Sequence, residues 1–219
     1  MNHIQKIFFA TILLGATILG IAFIVGRRQQ KQNNEPPLFH ASISQLKELS
    51  RTKYQQSLRY LAYAHYAERD SLHDAATLFH AISHADAIHN ANCRHAIEAL
   101  GGVYTYPIIS PTQFLATTTH IEQALLSKTA THNHQMPEYI NQALKDNNRY
   151  IARMLTWCDA SDVKQIFLLK KILDNPTQSQ LHIYYKVCPT CGDITWETIS
   201  TRHCPMCMTD SVKFITIED

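Results

Sequence analysis

Net charge of one sign is nearly absent from this chain. Lys+Arg 20 against Asp+Glu 18 leaves +2, so the basic footprint that a phosphate backbone requires is missing and nucleic acid is excluded as a partner. Cysteine is too sparse and too unevenly placed for a disulfide framework. Of the six, four stand in two tight pairs near the C-terminus, while Cys93 and Cys158 lie singly in helical stretches and read as small hydrophobes. Charge is missing altogether between Ile7 and Gly26, and proline is missing from long stretches between Ile43 and Leu173. With 219 residues there is room for one medium domain and a small appendage.

The uncharged run IFFATILLGATILGIAFIVG is long enough, at about 1.5 Å per helical residue, to cross a hydrocarbon core of roughly 30 Å. A cleaved signal peptide is the alternative, but its apolar region usually ends after about 7–15 residues at a small-x-small site, whereas this run continues to Phe23-Ile24-Val25. Arg27, Arg28 and Lys31 outnumber Lys6 across the span, which predicts a single pass with the rest of the chain on the cytoplasmic side. The polar, proline-terminated QQKQNNEPP reads as a tether.

The proline-free stretches repeat apolar residues at helical spacing, and four bundle helices are expected. The second carries Leu72, Ala75, Phe79, Ile82, Asp86, His89, Cys93, Ala96 and Leu100 on one stripe, ended by Gly101-Gly102. The fourth carries Ile151, Leu155, Cys158, Asp162, Gln165, Leu169 and Ile172. In the first, Leu46, Leu49, Lys53, Tyr60 and Ala67 share a face, and in the third Ile121, Leu125 and Lys128 do. Each helix thus turns a charge inward. Since an unpaired buried ion costs several kcal/mol, a shared polar cluster of Lys53, Asp86, Lys128 and Asp162 is expected.

After the turn-rich DNPTQSQ the composition turns strand-like, and Cys188, Cys191, Cys204 and Cys207 form C-x2-C-x12-C-x2-C. Two such knuckles present four thiolates tetrahedrally to one ion. Iron and zinc both suit that donor set, and spacing does not separate them.

Asp86-Ala87-Ile88-His89 places a carboxylate and an imidazole on one helical face. Arg59-Tyr60, Ala64, Ala67 and Leu78-Phe79 precede it, Thr117, Ile121 and Ala124 lead into the third helix, and Pro137-Glu138-Tyr139 is expected to open the fourth. With Cys-Pro-Thr-Cys-Gly, Cys204-Pro205-Met206-Cys207 and Phe214 seven residues on, the chain from about residue 45 resembles rubrerythrin. The resemblance implies a ferritin-like bundle, a rubredoxin-like iron centre and pairing across a homodimer. It also implies a di-iron site whose ligand positions fall here on Lys53, Asp86 with His89, Lys128 and Thr131, and Asp162 with Gln165. Only Asp86, His89 and Asp162 are ligand types, and Lys53 and Lys128 stand as substituting cations, so a di-iron centre is not expected. A mononuclear site drawing on His132 is the other use of these residues. Met208 occupies a position where the family has glycine, which is expected to strain the second knuckle.

The predicted chain is mainly α. Residues 1–28 are a membrane anchor, 29–43 a tether, 44–174 a ferritin-like four-helix bundle, and 183–219 a small rubredoxin-like β domain whose own core is Tyr184, Tyr185, Trp196 and Phe214. The function expected first is a redox protein of a bacterial inner membrane, carrying one iron at the four-cysteine site and meeting an unidentified redox partner. A zinc-stabilised interaction module and a residual peroxide reductase are the alternatives.

Overall fold

The computed structural model describes residues 39–109, 111–175, 184–196 and 202–218. Among them no helix is long and apolar enough to cross a membrane. The expected span, Ile7–Gly26, lies outside the described residues, as does most of the expected tether.

Four helical rods form the bundle. The first is α1 (His40–Arg69), and the second is α2 (His73–Ala99). The third is built from α3 (Thr117–Ala130), a π-helical turn (Thr131–Gln135) and α4 (Met136–Lys145), and the fourth is α5 (Arg149–Asp174). Helix α1 starts inside the expected tether because Ser42 and Ile43 are already buried and Ser42 Oγ donates to Asp146 Oδ2 at 2.6 Å. Pro137 does not open the fourth rod, contrary to expectation. It sits inside the third, where the widened turn before it, closed by Met136 N–H on Thr131 O, accommodates a residue that has no N–H to give. The fourth rod begins instead after the Asn147 turn, and Asn148 Oδ1 caps it by accepting from Ile151 N at 3.1 Å.

The long connection after α2 returns the chain to the α1–α2 turn. There Asp70 accepts from both the hydroxyl (2.7 Å) and the N–H (3.3 Å) of Thr117, capping α3 from another part of the chain. The inward stripes read from sequence are the buried ones, with Leu72, Leu100 and Leu125 partly buried at their margins. They form two apolar clusters, one around Tyr60, Tyr63, Phe79 and Ile82, the other around Leu46, Leu49, Cys93, Met136 and Leu155. Along every rod the buried charge falls between residues of the first cluster and residues of the second, so the polar layer divides the core.

The C-terminal part is a three-stranded antiparallel sheet of β1 (Tyr185–Val187), β2 (Ile194–Trp196) and β3 (Ile215–Ile217), ordered β2-β1-β3. It does not build the separate aromatic core expected of it. Tyr185, Val187, Ile194 and Ile217 are buried in the bundle's own first cluster, and Trp196 packs on it, whereas Phe214 packs on the cysteines beside Trp157 of α5. Strands three residues long enclose too little apolar surface to stand alone, and the bundle supplies the rest.

Candidate functional site

Two knuckles with the same hydrogen-bond pattern bring the four cysteines together. Gly192 N–H donates to Cys188 O at 2.9 Å and Met208 N–H to Cys204 O at 3.0 Å, while Cys188 N–H and Cys204 N–H donate to Asp193 O and Thr209 O. The sulfurs lie within 4.8 Å of one another, and the pairs Cys188–Cys207 and Cys191–Cys204 are each separated by 3.5 Å. A tetrahedron with metal–sulfur bonds of about 2.3 Å has edges of about 3.8 Å, so this donor set fits one tetrahedral ion. Backbone N–H groups of Thr190 and Cys191 point at Cys188 Sγ, and those of Met206 and Cys207 at Cys204 Sγ. Hydrogen bonding from Cys191, ahead of an opposing burial effect, draws the Cys188 thiol down to about 4, whereas burial pushes Cys204 up to about 11. A thiolate-binding ion takes these cysteines in their deprotonated form.

Both residues that close the knuckles have left-handed backbone, Gly192 at φ 72° and Met208 at φ 64°. A Cβ on Gly192 would lie 2.4 Å from His89 Nε2 and 3.0 Å from Ala85 O, so this position leaves no room for a side chain. Met208 is 68% exposed and meets no such obstacle. Its strain is the intrinsic cost of left-handed backbone, about 1–2 kcal/mol. The two knuckles differ in sequence because one faces the bundle and the other faces solvent.

The first knuckle is held from α2 and α5. Asn92 Nδ2 donates to Thr190 O at 2.9 Å, His89 Nε2 lies 3.0 Å from Cys191 O, and Ser161 Oγ donates to Gly192 O at 2.8 Å. Lys164 pairs with the buried Asp193 carboxylate, whose pKa is raised by burial and only partly restrained by that lysine. Sequence reasoning missed Asn92, Ser161, Lys164 and Asp193. Each is an ordinary polar residue beside a motif, and their only signal was that Ser161 and Lys164 flank the inward Asp162.

The polar layer of the bundle is a closed tetrad, with Lys53, Asp86, Lys128 and Asp162 each fully buried. Lys53 Nζ lies 3.0 Å from Asp86 Oδ1 and 2.7 Å from Asp162 Oδ1. Lys128 Nζ lies 3.1 Å from Asp86 Oδ2 and 2.9 Å from Asp162 Oδ1. Every ammonium thus bridges both carboxylates. Burial alone would raise the Asp86 and Asp162 carboxyls, but Lys128 and Lys53 outweigh it and hold both below the usual carboxylate range. Burial likewise opposes protonation of Lys53, yet Asp162 and Asp86 keep its pKa well above the ordinary lysine value. The Lys128 ammonium also lies 5.2 Å from the centre of the Tyr60 ring.

His89 joins the two sites, its Nδ1 3.4 Å from Asp86 Oδ1 and its Nε2 on Cys191 O. Burial opposes its protonation, but Cys158 and Asp86 raise the imidazole to about 9. Asp86, His89 and Asp162 could jointly ligate an ion. Thr131, Gln165 and His132 do not join them. Thr131 Oγ1 donates back to Ser127 O, Gln165 Nε2 donates to Ser161 Oγ, and His132 pairs with Asp159 at 2.8 Å.

No family model and no curated protein matches the chain. Solved structures do. Nigerythrin in its fully reduced, all-ferrous state superimposes with a TM-score of 0.74 at 16% identity, over 80% of this chain and 86% of that one. Nigerythrin in its mixed-valent state gives 0.73 at 16% identity, over the same shares. An open-pore ferritin from the hyperthermophilic archaeon Archaeoglobus fulgidus gives 0.54 at 13% identity, over 61% of this chain and 83% of its own. The architecture is rubrerythrin-like, a ferritin-like bundle followed by a small sheet that carries the four-cysteine cluster.

Proposed function

We propose that this chain is a membrane-anchored one-electron carrier whose Cys188, Cys191, Cys204 and Cys207 hold a single iron, and whose bundle is a metal-free scaffold. One observation carries the reading. The ammonium groups of Lys53 and Lys128 each contact both Asp86 and Asp162, so both carboxylates are already met by cations. Metal cations placed there would meet cations and find no further carboxylate in the layer among the described residues. Nigerythrin, described in an all-ferrous state, supports iron over zinc in this reading.

Iron held by four thiolates supplies one reversible electron. The chain's residues do the rest. Backbone N–H groups directed at Cys188 and Cys204 stabilise thiolate charge. Cys188, Cys191 and Cys204 are buried while Cys207 is partly exposed, so electron exchange takes place at the second knuckle. The bundle braces the first knuckle through His89, Asn92 and Ser161. Ile7–Gly26 anchors the chain, with the carrier on the cytoplasmic side of a bacterial inner membrane and the bundle as the platform of a homodimer.

Metal content and visible absorption of the full-length protein, purified in detergent with iron and zinc both supplied, test this reading. About one iron per chain with a red thiolate charge-transfer spectrum is the expected result. Zinc alone would replace it with the interaction module, and about three irons per chain with peroxide-driven oxidation would restore the peroxide reductase.

A further inference from the structure

Three side chains outside both sites meet across the α1–α2 hairpin. On α1, His65 and Glu68 are three residues apart on one face, and His65 Nδ1 lies 3.2 Å from Glu68 Oε2. On α2, His80 Nε2 lies 3.0 Å from the other carboxylate oxygen, Glu68 Oε1. His84 follows His80 one helical turn later on the same face of α2. Two helices therefore bring two imidazoles to opposite oxygens of one carboxylate, with a third imidazole one turn further along α2.

The hairpin fixes the spacing of these two helix ends. Its turn is tight, with Ser71 at φ 58° and Leu72 N–H donating to Ala67 O at 2.9 Å, and Thr117 is tied to Asp70 directly above it. The side chains keep freedom to move. His65 is 84% exposed, Glu68 42% and His80 31%. Both imidazoles now contact opposite oxygens of Glu68, and rotation about their side-chain bonds lets them release the carboxylate and turn a ring nitrogen toward a shared ion. Imidazole nitrogen with one carboxylate oxygen is a donor set of intermediate softness, suited to Zn²⁺, Co²⁺ or Ni²⁺ and poorly suited to Mg²⁺ or Ca²⁺.

We propose that His65, Glu68, His80 and His84 form a binding site for one divalent transition-metal ion on the outer face of the hairpin, distinct from the four-thiolate set and the buried tetrad. Protonation states agree with this geometry. Hydrogen bonding from His80 lowers the Glu68 carboxyl, which favours its anionic form. A bound ion would cross-link α1 to α2 near their junction without involving the redox centre.

The test is a calorimetric titration of Ni²⁺ into the full-length, untagged protein with its four-thiolate centre already loaded. One further equivalent should bind at neutral pH, weaken below about pH 6 as imidazoles protonate, and raise the thermal midpoint. His80→Asn with His84→Asn should weaken that equivalent at least tenfold, as should His65→Asn, while His132→Asn with His134→Asn leaves it unchanged. Each variant should retain the wild-type helical content measured by circular dichroism without Ni²⁺. Absence of the further equivalent, or an equivalent indifferent to the His80 and His84 substitutions, overturns the proposal.

Discussion

Lys53 is a fully buried ammonium whose charge is met entirely by two aspartates on other helices, Asp86 and Asp162. Such a group is costly to bury and more costly to orphan. Removing one member leaves its buried partners without their counter-charge, typically destabilising by about 3–5 kcal/mol, whereas replacing a whole network by apolar side chains is often neutral or stabilising. Lys53→Met alone should therefore lower stability by about that amount in denaturant titrations. The fourfold change Lys53→Met, Asp86→Leu, Lys128→Met and Asp162→Leu should recover wild-type stability or exceed it. A single change as mild as a surface substitution would show that the tetrad is not a coupled unit.

At the scale of elements, the first knuckle and α2 interlock. Gly192 leaves no space between its Cα and His89, and the three successive carbonyls of Thr190, Cys191 and Gly192 are each hydrogen-bonded by a bundle side chain. Gly192→Ala should push the knuckle off α2 and α5, seen as faster hydrogen exchange in β1 and β2 with the metal still bound. Because the nearest obstacle is the His89 ring, adding His89→Ala should restore part of that protection. Non-additivity of this kind marks direct contact. If Gly192→Ala proves silent, the knuckle is not braced by α2.

For the molecule as a whole, the small sheet and the bundle share a core, since Tyr185, Val187, Ile194 and Ile217 are buried in the same cluster as Tyr63 and Phe79. The ion that orders the knuckles should therefore stabilise the bundle as well. Removing it with a chelator should lower the midpoint of helix unfolding measured by circular dichroism. An unchanged helical midpoint would mean that the two parts unfold independently. Shared burial also explains how strands of three residues persist with so little apolar surface of their own.

The sequence by itself determined the helical stripes, because a period of 3.6 is written in the spacing of Leu46, Leu49, Phe79, Ile82, Leu155 and Leu169. It also placed Lys53, Asp86, Lys128 and Asp162 inward, because a charge on an apolar stripe has nowhere else to point. Four cysteines in two pairs declared their donor set for a similar reason, since spacing within a knuckle is a local property. What only the tertiary structure decided depends on residues far apart in the chain. It paired each lysine with both aspartates, seated the first knuckle against His89 while leaving Met208 in solvent, and merged the sheet's core with the bundle's. It also carried the third rod through Pro137, because a widened turn absorbs the missing N–H and packing on both sides keeps the axis continuous. Periodicity reports which way a side chain faces, and only packing decides what it meets there.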